Sequence, residues 1–599
     1  MPFLSDSSKP SPIRLPVPPV SLRERLIALA ALAMASLAAI LWSARHQAWL
    51  YYGDAEAHLH IARRLFDSHR PGLGQFGSVW LPLPHLVLAP FVAIDPWWRS
   101  GFAAVIPSAL CYLAAALGLY LLARIWLAPL PSAFALAFFA LNPNLLYLQT
   151  TAMSEPLFLA VLVWSVLLLV RWRAALDARP DGSRHLWPLM LVLFAAAWTR
   201  YDGWILGFGI WFWMALALQR RRALFQLRFV LASFALLAAP VLWMLYNAIY
   251  FGDWLDFLRG PYSAAAIEAR TSGGAIPPHP GWHNPWVSGI FFWHCSTGDA
   301  FARGFLGAFL LLLALFGLTL LLRLGWMNQT RPGTHADDTT PHRAALVGTL
   351  LLWFPLPFYA YSVAWGSVPI FLPDWWPHSW YNTRYGMELL PAFAFTLGFA
   401  LDWILRQPAL RQPAPRQPDP DSPRVDRRAA RRTTGAETAA HPQPALVGAL
   451  ACFVLANVGQ MIAQRPLVYV EATRNFAARG AYTQTLATAL ARLHTLDPAA
   501  LVLVDTSDFP TIIPRAGLTY RQTLNESDKQ YFCAALAAPA ASVGIVLAFD
   551  QDEVARAVRA HPENLRLVAR FGAPGQPASA LYVSMLSPLA HAVLSPASR

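Results

Sequence analysis

Charge is scarce in this chain. Of 599 residues only 13% are Asp, Glu, Lys or Arg, against the roughly 25% of a soluble globular domain, while 56% are hydrophobic and 13% aromatic. A soluble enzyme or binding module is thereby excluded, and an integral membrane protein is implied. Lysine is nearly missing: of 46 basic residues only Lys9 and Lys529 are lysine, which with the abundant alanine and proline reads as a GC-rich bacterial genome rather than as chemistry. The four cysteines, Cys111, Cys295, Cys452 and Cys533, lack metal spacing, so neither a disulfide framework nor a zinc site is implied. No GxGxxG, no P-loop and no solenoid-period repeat occurs. The formal net charge of +13 would point to nucleic acid only if it gathered on one face; the arginines fall instead in the gaps between apolar runs, where membrane sidedness accounts for them and no nucleic-acid partner is expected.

Crossing the hydrocarbon takes about 20 apolar residues, because each backbone polar group must be satisfied within its own segment. Runs near 25–43, 100–126, 131–148, 155–172, 187–199, 203–219, 228–250, 303–323, 344–370, 389–406 and 444–463 meet this description, about eleven spans. The first is long and lacks a clear small-residue cleavage site, so it is expected to stay as an anchor. The segment 80–94, "WLPLPHLVLAPFVAI", is short and broken by proline, and is expected to be interfacial or re-entrant. Arginine gathers in alternate gaps, as in "RRR" at 220–222 and in the Pro/Arg-rich linker 407–443, which favours a cytoplasmic N-terminal tail (1–24) and an outward C-terminus in a bacterial inner membrane. That linker cannot bury a core and is expected to be disordered. After residue 466 the texture changes. Strand-like runs at 500–505, 543–549, 565–570 and 580–585 alternate with helical stretches near 472–495 and 551–560, a small extracytoplasmic α/β domain spanning 466–599. The fold expected is therefore mainly α, a polytopic helical bundle (25–406, with an outer loop at 44–99) plus a last span and this domain.

Ionisable residues collect where the runs end. The stretch 54–66 read as a helix puts Ala55, Leu59, Ala62 and Phe66 on one stripe, Asp54 and His58 on another, and Glu56, His60 and Arg63/Arg64 on a third. Such a helix is expected to lie along the outer interface with its apolar side down. Taken alone, Asp54 after Gly53 also reads as a helix N-cap. Ser154, Glu155 and Pro156 open a span, an ordinary helix start, although a carboxylate at a membrane edge is costly without a partner. Arg200 and Asp202 in "WTRYDGW" either pair with each other or add to a polar wall. Arg384 in "WYNTRYGMELLPAFAF" either pairs with Glu388 one turn on, snorkels to headgroups, or binds an anion. His58 and His60 point to different faces and are not a ligand pair; Asp54 with His58 sharing a divalent cation is the remaining metal option. The tryptophans of "DPWW" and "PDWWPHSW" fit interface anchors.

The stretch "GDAEAHLHIARRLFDSHRPGLGQFGSVWLPLPH", 53–85, resembles the first outer loop of GT-C membrane glycosyltransferases, the superfamily of protein O-mannosyltransferases and lipid A aminoarabinose transferases. An acid shortly after the first span, an "IAR"-like helix, a Gly/Pro-rich turn and a proline-containing apolar segment carry the likeness, and "RY…LLPA" from Arg384 onward extends it over roughly 20–405. The match departs in Asp-Ala-Glu where relatives have adjacent acids, and in "WLPLPH" where they show a Lys/Pro-Pro motif. The resemblance implies an inverting transfer of a sugar from a polyprenyl phosphate to an acceptor hydroxyl of a glycan, lipid or protein. Asp54 would be the base and Arg384 the phosphate ligand, with Glu56, His58, His85, Glu155, Arg200, Asp202 and Tyr385 as substrate-binding candidates and no cofactor. The Phe-Gly-Asp turn in 247–263 would shape the acceptor groove. A transporter or flippase would instead place ionisable groups within its spans and show repeat symmetry, and a scaffold would leave Asp54, Glu155 and Arg384 without a role.

Overall fold

The computed structural model describes residues 20–176, 183–327, 345–407 and 444–594. The expected linker 407–443 beyond its first residue, and the tail before residue 20, lie outside the described residues. The chain is mainly helical, with one small sheet near its C-terminus. Among the described residues eight segments are long and apolar enough to cross a membrane: Leu22–His46, Phe102–Ala123, Glu155–Ala175, Leu227–Phe251, Phe305–Leu324, Ala345–Trp365, Thr383–Leu405 and Ala445–Leu496.

Three of the eleven expected runs are not among these eight segments. The run 131–148 breaks into Pro129–Ala140 and Pro143–Leu148, because Pro143 has no N–H to continue the first helix and Asn142 caps the second, accepting from the backbone N–H of Asn144 and Leu145. The run 187–199 makes a helix of only 14 residues, Leu186–Thr199, or about 21 Å at 1.5 Å per residue. Asp202–Gln219 reaches 18 residues, but its glycines and tryptophans dilute its hydropathy and it is not among the eight. The segment 80–94 folds as Leu83–Val92, also too short to span.

The helix Gly53–Arg64 does not lie on a surface. Ala55, Glu56, His58, Leu59, His60, Ile61, Ala62 and Arg63 are all buried, its polar sides as fully as its apolar stripe. The C-terminal domain covers what was expected to face the interface. Its N-cap is Tyr52, and Asp54 sits in the first turn rather than at the cap. Members of the third stripe read from the sequence go to different partners: Glu56 to Arg479, His60 to Trp98, and Arg63 to Asp67 and Asp95.

The C-terminal domain holds a five-stranded sheet in the order β2-β1-β3-β5-β4, with β1 Val502–Val504, β2 Thr523–Leu524, β3 Ile545–Phe549, β4 Leu565–Phe571 and β5 Ser579–Ser584. β1 runs parallel to β2 and β3; β5 is antiparallel to both β3 and β4. The 30-residue helix Leu467–Leu496 leads into it after a left-handed turn at Arg465. The domain grips the loop 65–75, Asp528 accepting from the backbone N–H of His69 and Arg70 and from Gln75 Nε2.

Arg63 holds this region together. Its guanidinium donates to Asp67 Oδ2 at 2.8 Å and to the carbonyl of Val92 at 2.8 Å, and lies 4.5 Å from the centre of the Trp98 ring. Removing it leaves the buried Asp67 carboxylate with only the exposed Arg521, 4.0 Å away, so Arg63→Ala is expected to cost about 3 kcal/mol, and Arg63→Lys, which keeps the charge but not the planar fork, less. Thermal unfolding of the full chain in detergent measures both; equal melting points for Arg63→Ala and wild type would refute this role.

Candidate functional site

Two guanidiniums and five carboxylates meet where several helices begin or end. Arg384 stands at the head of the span Thr383–Leu405 and is 6% exposed. Its Nη2 lies 2.5 Å from Asp54 Oδ2, its Nε 3.1 Å from Glu155 Oε1 and its Nη1 3.5 Å from Glu471 Oε1. Arg200, at the turn between Leu186–Thr199 and Asp202–Gln219, reaches the same Glu155 Oε1 at 3.3 Å, Asp202 at 3.1 Å and Glu388 at 3.4 Å. It also donates to Tyr359 Oη at 2.8 Å, and Tyr359 donates in turn to Glu388 at 2.7 Å. The Tyr385 ring lies between the two cations, 4.9 Å from Arg200 and 5.0 Å from Arg384. Glu155 therefore bridges both arginines, and the two clusters form one network.

Burial grades its members. The side chains of Glu155 and Glu388 are 0% exposed, Glu471 1% and Asp202 2%, whereas Asp54 is 43% exposed. Buried charge persists only when paired and hydrogen-bonded, which explains the density of contacts around the four inner acids. Asp54 is the one carboxylate of the set that an incoming molecule can reach.

The structure thus brings together Asp54, Glu155, Arg200, Asp202, Arg384 and Tyr385 from the sequence-derived set. Arg200 and Asp202 pair, and both also belong to the larger wall. Arg384 does not pair with Glu388, because 383–389 is wound as a 3₁₀ helix and a four-residue step there no longer returns to the same side. Gly386 allows this segment to press against the helix Pro285–Ala300; a Cβ there would meet Asp299 Oδ2 at 2.6 Å and the Cys295 carbonyl carbon at 2.7 Å. Glu56 faces away, pairing with Arg479 of the C-terminal domain. Glu388, Tyr359 and Glu471 are the members that sequence reasoning missed. For Glu388 the signal was present, a charge at a span entry, but it was assigned the wrong partner. Glu471 sits in a stretch that reads as the first helix of a soluble domain.

His58 follows Asp54 by one turn and is buried. Its Nδ1 meets His85 Nε2 at 2.9 Å, so one ring must donate and the other accept, and both cannot be cationic at that contact. Its ring centre lies 4.6 Å from Trp80. Burial lowers the His58 pKa to about 4 despite the opposing charges of Asp54 and Glu155. His60 is lowered further, to about 3, again by burial. Its Nδ1 accepts from Trp98 Nε1 at 3.1 Å, an acceptor role open only to the neutral ring.

These histidines make the fold acid-labile. The unfolded rings take up protons from about pH 6.5 downward, while the folded rings stay neutral until about 4 and about 3. Their contribution to stability is therefore full above pH 6.5 and is lost as pH falls through that window. The melting point in detergent is expected to drop between pH 6.5 and 4. His60→Gln, which still offers Trp98 an acceptor but does not titrate, should show a shallower drop; an identical pH slope in wild type and variant would contradict the assignment. Compared with protein-family models and with curated proteins, the chain matches none.

Proposed function

We propose that this protein is a membrane-embedded glycosyltransferase. It moves a sugar, with inversion, from a polyprenyl-phosphate donor to an acceptor hydroxyl at the extracytoplasmic face of a bacterial inner membrane. The N-terminus lies in the cytoplasm and the C-terminal domain outside. The observation that carries this reading is the exposure contrast: a half-exposed Asp54, held by a buried Arg384, fronts a wall of inaccessible acids at the ends of apolar helices. A lipid-linked donor keeps its tail in the bilayer and presents its phosphosugar at such a boundary.

Asp54 accepts the acceptor's hydroxyl proton as the oxygen attacks the anomeric carbon. The bond from that carbon to the phosphate oxygen breaks, and the lipid phosphate leaves with the electron pair. All three nitrogens of Arg384 are engaged by carboxylates. A donor phosphate therefore reaches it by taking the place of one of them, and Asp54 is the partner exposed enough to yield. Donor binding then also releases the base, which makes the donor the first substrate to bind. Glu155, Arg200, Asp202 and Tyr385 serve as the wall that holds Arg384 in place and lines the sugar's approach, with His58 and His85 behind Asp54. The acceptor, a glycan, lipid or protein hydroxyl, approaches from the side of the C-terminal domain.

A transporter reading is less well supported, because the ionisable groups sit at helix ends: Glu155 opens its helix, Asp202 stands in a first turn and Arg384 heads a span.

Purified protein incubated with a panel of polyprenyl-phosphate sugars together with glycan, lipid and peptide hydroxyl acceptors should release free lipid phosphate. Asp54→Asn is expected to slow release by about 10²–10⁴-fold, the usual contribution of a general base, with an unchanged melting point. Wild-type rates in the variant, or no release from any donor, would overturn the proposal.

A further inference from the structure

The helix Leu467–Leu496 begins the C-terminal domain, yet its first turns are wedged into the site. Glu471 is fully buried and uses both oxygens: Oε1 accepts from Asn382 N at 2.9 Å and lies 3.5 Å from Arg384 Nη1, while Oε2 accepts from Thr383 N at 2.8 Å and from the Thr383 hydroxyl. Asn382 has φ of +56°, a left-handed conformation that asparagine tolerates better than most residues other than glycine. One carboxylate thus pins two successive amides of a left-handed turn, and that turn leads directly into Arg384. The helix is itself fixed at this depth, Val468 N donating to Asn144 Oδ1 at 3.1 Å and the Val468 carbonyl accepting from Tyr52 Oη at 2.8 Å. Tyr52 is the N-cap of the helix that carries Asp54. Both halves of the Asp54–Arg384 pair are therefore referenced to the same few residues, 468–471.

We infer that Glu471 is a positioning residue, and that through it the C-terminal domain is a component of the catalytic unit rather than a detachable binding module. This inference rests on the sugar-transfer reading for its effect on turnover. Glu471 touches no reacting atom. It holds the 382–384 turn so that Arg384 presents its Nη2 edge to Asp54 and, after exchange, to the donor phosphate. Displacing a guanidinium by about 1 Å is enough to cost on the order of 10²-fold in rate when geometry carries catalysis.

The test uses the full chain in nanodiscs, comparing wild type with Glu471→Gln, Glu471→Ala and Glu471→Asp. Hydrogen exchange in the peptide covering 380–388 reads the position of the turn without any substrate. Release of lipid phosphate from polyprenyl-phosphate sugars, with a hydroxyl acceptor present, reads the consequence. In Glu471→Gln and Glu471→Ala the Asn382 and Thr383 amides should exchange faster, by on the order of tenfold. In the same variants kcat should fall by about 10–100-fold while the donor KM changes less. Glu471→Asp, keeping the charge, should recover part of both. Unchanged exchange in 380–388, or faster exchange with wild-type kcat, overturns the inference. Asp54→Asn run alongside separates the two ideas: full turnover in that variant overturns the sugar-transfer reading, while the exchange experiment still decides where Glu471 acts.

Discussion

A guanidinium buried among helix ends has to be neutralised where it stands, and Arg384 is neutralised from three places. Asp54 comes from the helix after the first span, Glu155 from the start of another span, and Glu471 from the C-terminal domain. Moving an unpaired ion out of water costs several kcal/mol even after relaxation. These segments are therefore tied to one another by that charge, the buried Glu155 and Glu471 more tightly than the half-exposed Asp54. Around that tie the rest arranges itself. Glu155 cannot serve Arg384 without also meeting Arg200, and Arg200 draws in Asp202, Glu388 and Tyr359. The mixed, helix-end location follows from the bilayer, since charged groups inside hydrocarbon survive only where the bundle or water shields them.

The same logic explains what was legible in the amino-acid sequence. In a chain with so few charges, an acid or arginine at the edge of an apolar run is conspicuous, so Asp54, Glu155, Arg200, Asp202 and Arg384 stood out. Their partners did not, because pairing depends on winding and on contacts distant in sequence. Glu388 is four residues from Arg384, a helical neighbour only if the segment is α; wound as 3₁₀, it turns instead to Arg200. Glu471 lies in a 30-residue helix whose later turns carry the mixed pattern of a domain surface, and nothing local marks its first turns as buried. The helix Gly53–Arg64 shows the complementary failure. A polar stripe meets water, headgroups or another domain's polar groups with equal ease, and here Arg479 took the role assigned to the interface.

The difference between eleven apolar runs and eight long apolar segments among the described residues has a related reason. An apolar run ten to eighteen residues long satisfies a hydropathy reading, yet Pro143, or a helix that stops at Thr199, limits its reach to less than the hydrocarbon thickness. Such short helices are sheltered by their neighbours, as the buried Leu189, Leu193 and Ala196 of Leu186–Thr199 attest. The sheet was easier to anticipate, since β1, β3, β4 and β5 are distinct apolar runs. Only the two-residue β2 lacks a pattern to read.

The Asp54–Arg384 contact joins two residues with opposite obligations. Arg384 is almost wholly enclosed, so its charge is needed by Glu155 and Glu471 whether or not any substrate is present. Asp54 is nearly half exposed, so water can solvate it when its partner is occupied elsewhere. Losing Asp54 leaves Arg384 with two carboxylates, whereas losing Arg384 leaves Glu471 without its cation and Glu155 dependent on Arg200. Exposure therefore divides the pair into a member that can exchange partners and a member that must not. A site built this way can release its carboxylate to an incoming alcohol without loosening the helices that hold it.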